Sequence, residues 1–371
     1  TRFGVSANSP FGLLSHVGED CAGAVQFVRP ERLAALGPGG VEWLDEESLR
    51  DRIERLRFDP ASWLDTDSQG QFSLAGAQAK FALIHEEGRW GEPYGAVPTT
   101  HIIKPPAGRF ADQDLNEHLC LSAAANAGLT VARSKLVHFV GERAVAVERY
   151  DRLRTAQGWV RVHQEDCCQA LGVPPDRKYQ SDGGPGTAAI ARLLRQLLPG
   201  EDGDRALSDF VDAVAFNWLA GGTDAHAKNF SILLSGSQVR LAPLYDLVSA
   251  LPYVAGPRDQ RRPGEIRGNL ALAMKIGDNS ELGMIRREDW TVFAAEVGIA
   301  SEVVLGRVDE LAELVPQAFE STADDDDVAA TGSQLPGRLV ERVKANVSRC
   351  RSALAGRPVR RHRGRAGSSD P

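Results

Sequence analysis

One octapeptide constrains this chain more than any other stretch: Gly222-Thr-Asp-Ala-His-Ala-Lys-Asn229. It sits at a junction between two kinds of local pattern. Upstream, Leu207 to Leu219 repeats apolar residues at the helical period and puts Phe210, Val214 and Trp218 on one face. Gly221-Gly222 then stops that helix. Downstream, Ser231-Ile-Leu-Leu234, Gly236 and Val239-Arg-Leu-Ala242 read as a hairpin, followed at once by Pro243-Leu-Tyr-Asp246. The order helix, Asp224, Asn229, hairpin, Asp246 gathers three oxygen-bearing side chains around one turn of chain.

Asp224 and Asn229 have the D-x-x-x-x-N spacing of a phosphotransferase catalytic loop. A carboxylate can orient an attacking hydroxyl and accept its proton. An amide oxygen further along the loop can bind a metal that sits on the leaving phosphates. A second carboxylate is needed for Mg²⁺, and Asp246 stands where a protein kinase puts it. Taken alone, the spacing arises often by chance where an Asx-type loop follows a helix. The ordered set carries the weight.

Such chemistry demands a phosphate loop and a lysine upstream. Ser73-Leu-Ala-Gly-Ala-Gln-Ala-Lys80 precedes the apolar Phe81-Ala-Leu-Ile84. Small residues at Ala75, Gly76 and Ala77 let backbone N–H groups approach phosphates closely; the competing reading is a plain turn before a strand. Lys104 ends the apolar run Thr100-His-Ile-Ile103 and is the candidate partner of the α- and β-phosphates. Glu117, on a helix expected over 116–127, is the candidate acid that holds it. Leu136-Val-His-Phe-Val140 and Ala144-Val-Ala-Val147 form a second hairpin signal around Gly141-Glu-Arg143. The stretch from about 71 to 150 thus reads as a mostly antiparallel sheet with one inserted helix. It ends at Glu148-Arg149-Tyr150, where backbone groups are placed to meet an adenine. An ordinary strand end with a solvated charge run explains the same residues. After Arg152 the texture turns helical.

The bulk properties exclude several other classes. Apolar residues are 42% and charged residues 25% of 371, which is ordinary for a globular protein. The net charge of −7 argues against the whole chain wrapping nucleic acid. No apolar run is long enough to span a membrane. Five Cys with no CxxC fit neither a disulfide scaffold nor a structural zinc site, and suit a cytoplasmic location. Asp324–Asp327 reads as a solvated acidic loop, and the tail 356–371, with five Arg and little apolar mass, as disordered.

Several segments together resemble the HipA-type serine/threonine kinases, the toxin half of HipA–HipB toxin–antitoxin pairs. They are SLAGAQAKFAL (73–83), THIIKPP (100–106), VERYDR (147–152), QEDCCQALGVPPDRKYQSDGGPG (164–186), WLAGGTDAHAKNFSIL (218–233) and LAPLYDLVSA (241–250). LLSHVGEDCAGAV (13–25) looks like the segment just ahead of the family's kinase core. The likeness covers most of 11–250 and is looser beyond. Relative to the family, the chain reads as N-terminally shortened, and the acid usual within GAQEK is Ala79 here.

The resemblance implies an α+β, two-lobed protein-kinase-like fold, with a small β-rich N-lobe and a helical C-lobe. Residues 1–60 become a remnant of the family's N-terminal region, 61–152 the N-lobe, 153–355 the C-lobe and 356–371 a tail. It implies ATP and Mg²⁺ as cofactors. ATP contacts fall on Ala75, Gly76, Ala77, Gln78, Ala79, Lys80, Lys104, Glu148, Arg149, Tyr150, His226, Ala227, Lys228, Asn229, Tyr245 and Asp246. The metal falls on Asn229 and Asp246, the catalytic base on Asp224, and Ser73 matches the autophosphorylated serine. The implied partners are a HipB-like helix-turn-helix antitoxin, operator DNA mainly through that antitoxin, and a protein substrate such as an aminoacyl-tRNA synthetase. The loop 179–186 receives no role. Other classes are a small-molecule phosphotransferase of similar fold, a non-catalytic antitoxin- or DNA-associated module, and a metallohydrolase built on Asp224, His226 and Asp246.

Overall fold

A computed structural model of the chain describes residues 9–59, 78–106, 110–255 and 265–356. Ser73, Ala75, Gly76, Ala77 and the tail beyond Gly356 lie outside the described residues. Six antiparallel strands make the principal sheet: β1 (Gly40–Trp43), β2 (Phe81–Glu86), β3 (Arg89–Tyr94), β4 (His101–Lys104), β5 (Ser134–Phe139) and β6 (Glu142–Glu148). Their spatial order is β1-β3-β2-β4-β6-β5. The β2–β3 turn is Glu87-Gly88, with φ of 51° and 78°, the left-handed pair that a tight hairpin of this twist requires.

Alternation along the strands divides the apolar residues between two cores. Val137, Phe139, Ala144 and Ala146 face a cluster with Phe81, Leu83 and Ile103, covered by Leu49, Ile53 and Leu56 of the helix Glu46–Phe58. Asp45 caps that helix, its Oδ1 accepting from Ser48 N at 2.8 Å. Leu136, Val145 and Val147 point the other way, toward Leu115 and Leu119 of the helix Gln113–Asn126. This second core runs on without a break into the helical lobe. There the helices Thr187–Leu197, Glu201–Ala220, Arg287–Val297, Ser301–Ala323 and Leu335–Leu354 bury Phe210, Phe216, Trp218, Trp290, Phe293 and Phe319.

The helix Gln113–Asn126 is buried nearly all round, including its polar residues. Asp114 Oδ2 accepts from Arg143 Nε at 2.7 Å, and Asn116 exchanges two hydrogen bonds with the Ser249 backbone. Glu117 accepts from Lys104, and His118 Nδ1 meets Ser134 Oγ at 2.9 Å. Each of these four side chains has a partner elsewhere in the fold, which offsets the cost of burying it, and Glu117 Oε2 alone among their carboxylate oxygens is left without one.

The helical texture expected directly after Arg152 is a miss. That stretch forms β7 (Arg152–Thr155), β8 (Gly158–Arg161) and β9 (His163–Asp166). The strands are four residues each and mix charge with apolar groups, so no local period marks them. Pairing decides them: β9 adds to β10 (Ser231–Ser235), which pairs on its other side with β11 (Gln238–Leu241), and Ser231 faces Asp166 across the ladder. Part of the acidic run is likewise helical, in the turn Asp326–Ala329.

Candidate active site

The helix Glu201–Ala220 delivers the octapeptide. Gly221 caps it at φ +71°, and Gly222 N–H donates to Asn217 O at 2.7 Å. A Cβ on Gly222 would lie 2.1 Å from Asn217 Oδ1, so any larger residue here must displace that side chain or shift the loop. The loop then closes on itself. His226 N donates to Asp224 O at 2.8 Å, Asn229 N to His226 O at 2.9 Å, and Asn229 Nδ2 to Asp224 O at 3.0 Å. The Asn229 amide nitrogen is spent inside the loop, so its oxygen is the end left for a cation. Asp224 is exposed, whereas His226 and Asn229 are buried.

Tyr245 carries Asp246 to this loop. Its hydroxyl donates to Lys228 O at 2.6 Å and lies 2.6 Å from Ser231 Oγ. Asp246 follows at φ +57°, a left-handed conformation that costs a non-glycine residue of order 1–3 kcal/mol. Its Oδ1 accepts from Lys104 Nζ at 2.8 Å, and the same ammonium donates to Glu117 Oε1 at 2.6 Å. One buried cation therefore joins the sheet, the helix Gln113–Asn126 and the segment after the hairpin at 231–241.

The electrostatics follow from that geometry. The Lys104 ammonium holds the Asp246 carboxyl well below the carboxylate range, against the opposing effect of burial. Burial alone would lower Lys104, but Asp246 and Glu117 together hold it above the lysine range. Burial pushes Glu117 up against the pull of Lys104. Lys80 is buried beside them and is pushed down to about 8, first by desolvation and then by Lys104. Lys228 pairs with Asp166.

The segment 148–150 is more occupied than its sequence suggests. Glu148 N–H donates to Arg133 O and Arg149 N–H to Thr100 O, both at 2.8 Å. The Tyr150 hydroxyl donates to Gln164, with its ring 5.4 Å from that of Tyr245. The Arg149 side chain turns into a buried charge cluster that sequence reading missed. Arg149 Nη1 donates to Asp20 Oδ2 at 3.2 Å and Arg152 Nη2 to Asp20 Oδ1 at 2.9 Å, with Arg161 Nε at 3.2 Å from the same oxygen. Arg149 and Arg152 also meet Asp151 at 2.9 Å. Burial works to raise Asp20, and the three guanidinium groups outweigh it and hold the carboxyl down. VERYDR thus fastens the segment around Asp20 to the sheet.

The loop without an assigned role also reaches the site. Tyr179 Oη donates to Asp224 Oδ1 at 2.6 Å, and its ring stands edge-on to His226 at 5.1 Å. Only the density of glycine between 183 and 186 hinted that this loop has a demanding shape.

The oxygen donors Asp246 and Asn229 fit Mg²⁺, which takes one or two protein ligands and completes its shell with phosphates and water. Among the described residues no group of three or more His, Cys, Asp or Glu forms an all-protein metal cage. Gln78 Nε2 and His226 Nδ1 are buried polar atoms with no hydrogen-bond partner, as groups awaiting a polar ligand would be. A groove of about 720 Å³ elsewhere, between the helices Ser301–Ala323 and Leu335–Leu354, contains none of these residues.

Residues 72–319 match the family described as the HipA-like C-terminal domain. The chain belongs to the HipA family. It is 38% identical over 333 residues to the putative kinase Y4mE of Sinorhizobium fredii, covering 86% of this chain and 75% of that one. It is 30% identical over 329 residues to the serine/threonine-protein kinase toxin HipA of Shewanella oneidensis, covering 85% and 71%. Its fold is similar to that of a Shewanella oneidensis toxin–antitoxin complex of HipA, HipB and operator DNA. The TM-score is 0.76 at 27% identity, covering 96% of this chain and 82% of the other. HipA relatives of this chain are thus named kinases, and the α+β architecture with a sheet lobe and a helical lobe is theirs as well.

Proposed function

We propose that the chain is an ATP- and Mg²⁺-dependent serine/threonine protein kinase acting as the toxin of a HipA–HipB-type module. One observation carries this: Lys104 is shared between Glu117 and Asp246 while Tyr245 ties Asp246 to the Asp224–Asn229 loop. Lys104 neutralises charge on the α- and β-phosphates. Asn229 and Asp246 hold Mg²⁺, which supplies charge stabilisation to the phosphates. Gln78, Ala79, Lys80 and His226 to Lys228 line the nucleotide, together with the loop 75–77 and the backbone of 148–150. Asp224 orients the acceptor hydroxyl. A bond forms between the acceptor oxygen and the γ-phosphorus, and the bond to the β,γ-bridging oxygen breaks with its electron pair leaving on ADP. The hydroxyl proton passes to Asp224. Positioning and electrostatics supply most of such catalysis.

Residues 61–152 and 153–355 are then the two kinase lobes, 1–60 an N-terminal region and 356–371 a tail. Ser73 is the autophosphorylation site; phosphate there adds about −1.5 to −2 charge beside the phosphate loop and repels ATP. The partner is a HipB-like antitoxin that carries the complex to operator DNA, and the substrate a translation protein such as an aminoacyl-tRNA synthetase in the cytoplasm. No described helix is long and apolar enough to cross a membrane. Purified protein with γ-labelled ATP and Mg²⁺ tests the activity. Wild type transfers label and Asp224→Ala does not; equal transfer by both refutes the assignment. Phosphoproteomics of cells expressing either form names the substrate.

A further inference from the structure

The loop 178–186 is built to hold one hydroxyl against Asp224. Asp182 N and Gly184 N both donate to Tyr179 O, at 3.1 and 2.9 Å. A Cβ on Gly184 would lie 2.0 Å from Arg177 O, so this wrap exists only with glycine there. Gln180 Oε1 accepts from Lys275 N at 2.7 Å and anchors the far side of the loop. The Tyr179 ring is held between the edge contact with His226 and Lys178 Nζ, 4.9 Å from its centroid. At the end of this scaffold stands the O–H···O bond of 2.6 Å to Asp224 Oδ1.

Asp224 needs such a hold. Its side chain is exposed, and a free aspartate samples several rotamers. A carboxylate has two oxygens, and occupying one with a fixed donor sets the direction of the other. Burial, and then the hydrogen bond to Asp224, push the Tyr179 phenol upward, so it remains a donor across the physiological range. We propose that Tyr179 is a positioning residue for the candidate base: its hydroxyl fixes Asp224 Oδ1 so that Oδ2 meets the acceptor hydroxyl. This rests on the kinase reading above, and it gives the glycine-rich loop its purpose.

Tyr179→Phe keeps the ring against His226 and Lys178 and removes only the O–H. Label transfer from γ-labelled ATP is measured into the chain itself and into myelin basic protein. The expected result is a kcat lower by roughly tenfold to a hundredfold, the worth of one hydrogen bond to a charged group, with the KM for ATP within about twofold of wild type. Gly184→Ala, which unwraps the loop without touching the hydroxyl, should lower kcat in the same sense. An unchanged kcat in Tyr179→Phe overturns the proposal, and so does a loss confined to the KM for ATP. Phosphate found on Tyr179 of the wild type also overturns it, because the hydroxyl would then be an acceptor. The contact has a readout independent of activity. In ¹³C-tyrosine-labelled protein, the Tyr179 ring resonance, assigned by its loss in Tyr179→Phe, should titrate at lower pH in Asp224→Asn than in wild type; no change overturns the proposal. A wild type that transfers no label refutes the kinase reading and the proposal with it, whereas an active wild type matched by Tyr179→Phe refutes the proposal alone.

Discussion

Lys104 Nζ lies 2.6 Å from Glu117 Oε1, with the glutamate side chain fully enclosed and the lysine nearly so. Removing one member of such a pair leaves the other charge buried. Lys104→Ala should therefore cost about 3–5 kcal/mol of stability as well as activity, whereas Glu117→Gln, which keeps a hydrogen-bond acceptor, should cost less. Thermal melts of both variants beside wild type check the ranking. A Lys104→Ala melt equal to wild type would contradict the burial.

Lys80 makes a pH prediction with a definite sign. Its folded value of about 8 lies below that of a free lysine, so the unfolded chain binds its proton more tightly. The charged form opposes folding at neutral pH, and that cost fades as pH rises through about 8 toward roughly 10.4. Lys80→Met should flatten this rise. Chemical denaturation at pH 7 and pH 9.5, compared between the two proteins, gives the difference directly; parallel pH dependences would count against it.

The Asp20 cluster predicts a loss of stability. Asp20 meets Arg149, Arg152 and Arg161, and three guanidinium groups would lose a shared counter-charge in Asp20→Ala. The expected penalty is about 3–5 kcal/mol, read as a lower denaturation midpoint. Asp20→Asn should recover part of it through its remaining acceptor oxygen. A neutral Asp20→Ala would show the cluster to be dispensable.

Gly222→Ala tests the exit from the helix Glu201–Ala220. The new methyl group meets Asn217 Oδ1, whose amide nitrogen is committed to Ala213 O at 2.8 Å. The side chain must move or the loop must shift, at about 1–3 kcal/mol. Phosphoryl transfer should fall more than stability does, because the Asp224 loop begins at this residue. Wild-type kcat in this variant would remove the constraint.

What the sequence revealed depended on distance along the chain. The helix end, the Asp224–Asn229 loop, the hairpin at 231–241 and Asp246 follow one another within a short span, so local period and turn chemistry were enough. The Glu117 candidate next to Lys104 came from one strand and the helix after it. Tyr179 could not be read in this way, since its partner Asp224 is 45 residues on and the contact depends on how a glycine loop folds over a neighbour. Arg149 and Arg152 looked like part of a solvated charge run because one of their counter-charges, Asp20, belongs to the beginning of the chain. The strand His163–Asp166 was hidden for the same reason, since it pairs with Ser231–Ser235, whereas Arg152–Thr155 and Gly158–Arg161 pair with each other and are too short for a pattern of their own to stand out.

The helix Gln113–Asn126 has a consequence for how such a protein can change. Its buried polar residues at 114, 116, 117 and 118 bind four separate elements, so they specify one rotation and one depth in a way that leucines alone would not. Turning it by one residue strands all four at once. Drift at 114, 117 and 118 must therefore come as matched exchanges with Arg143, Lys104 or Ser134, while Asn116 answers to the backbone at 249, and the helix is portable to another scaffold only with those partners in tow.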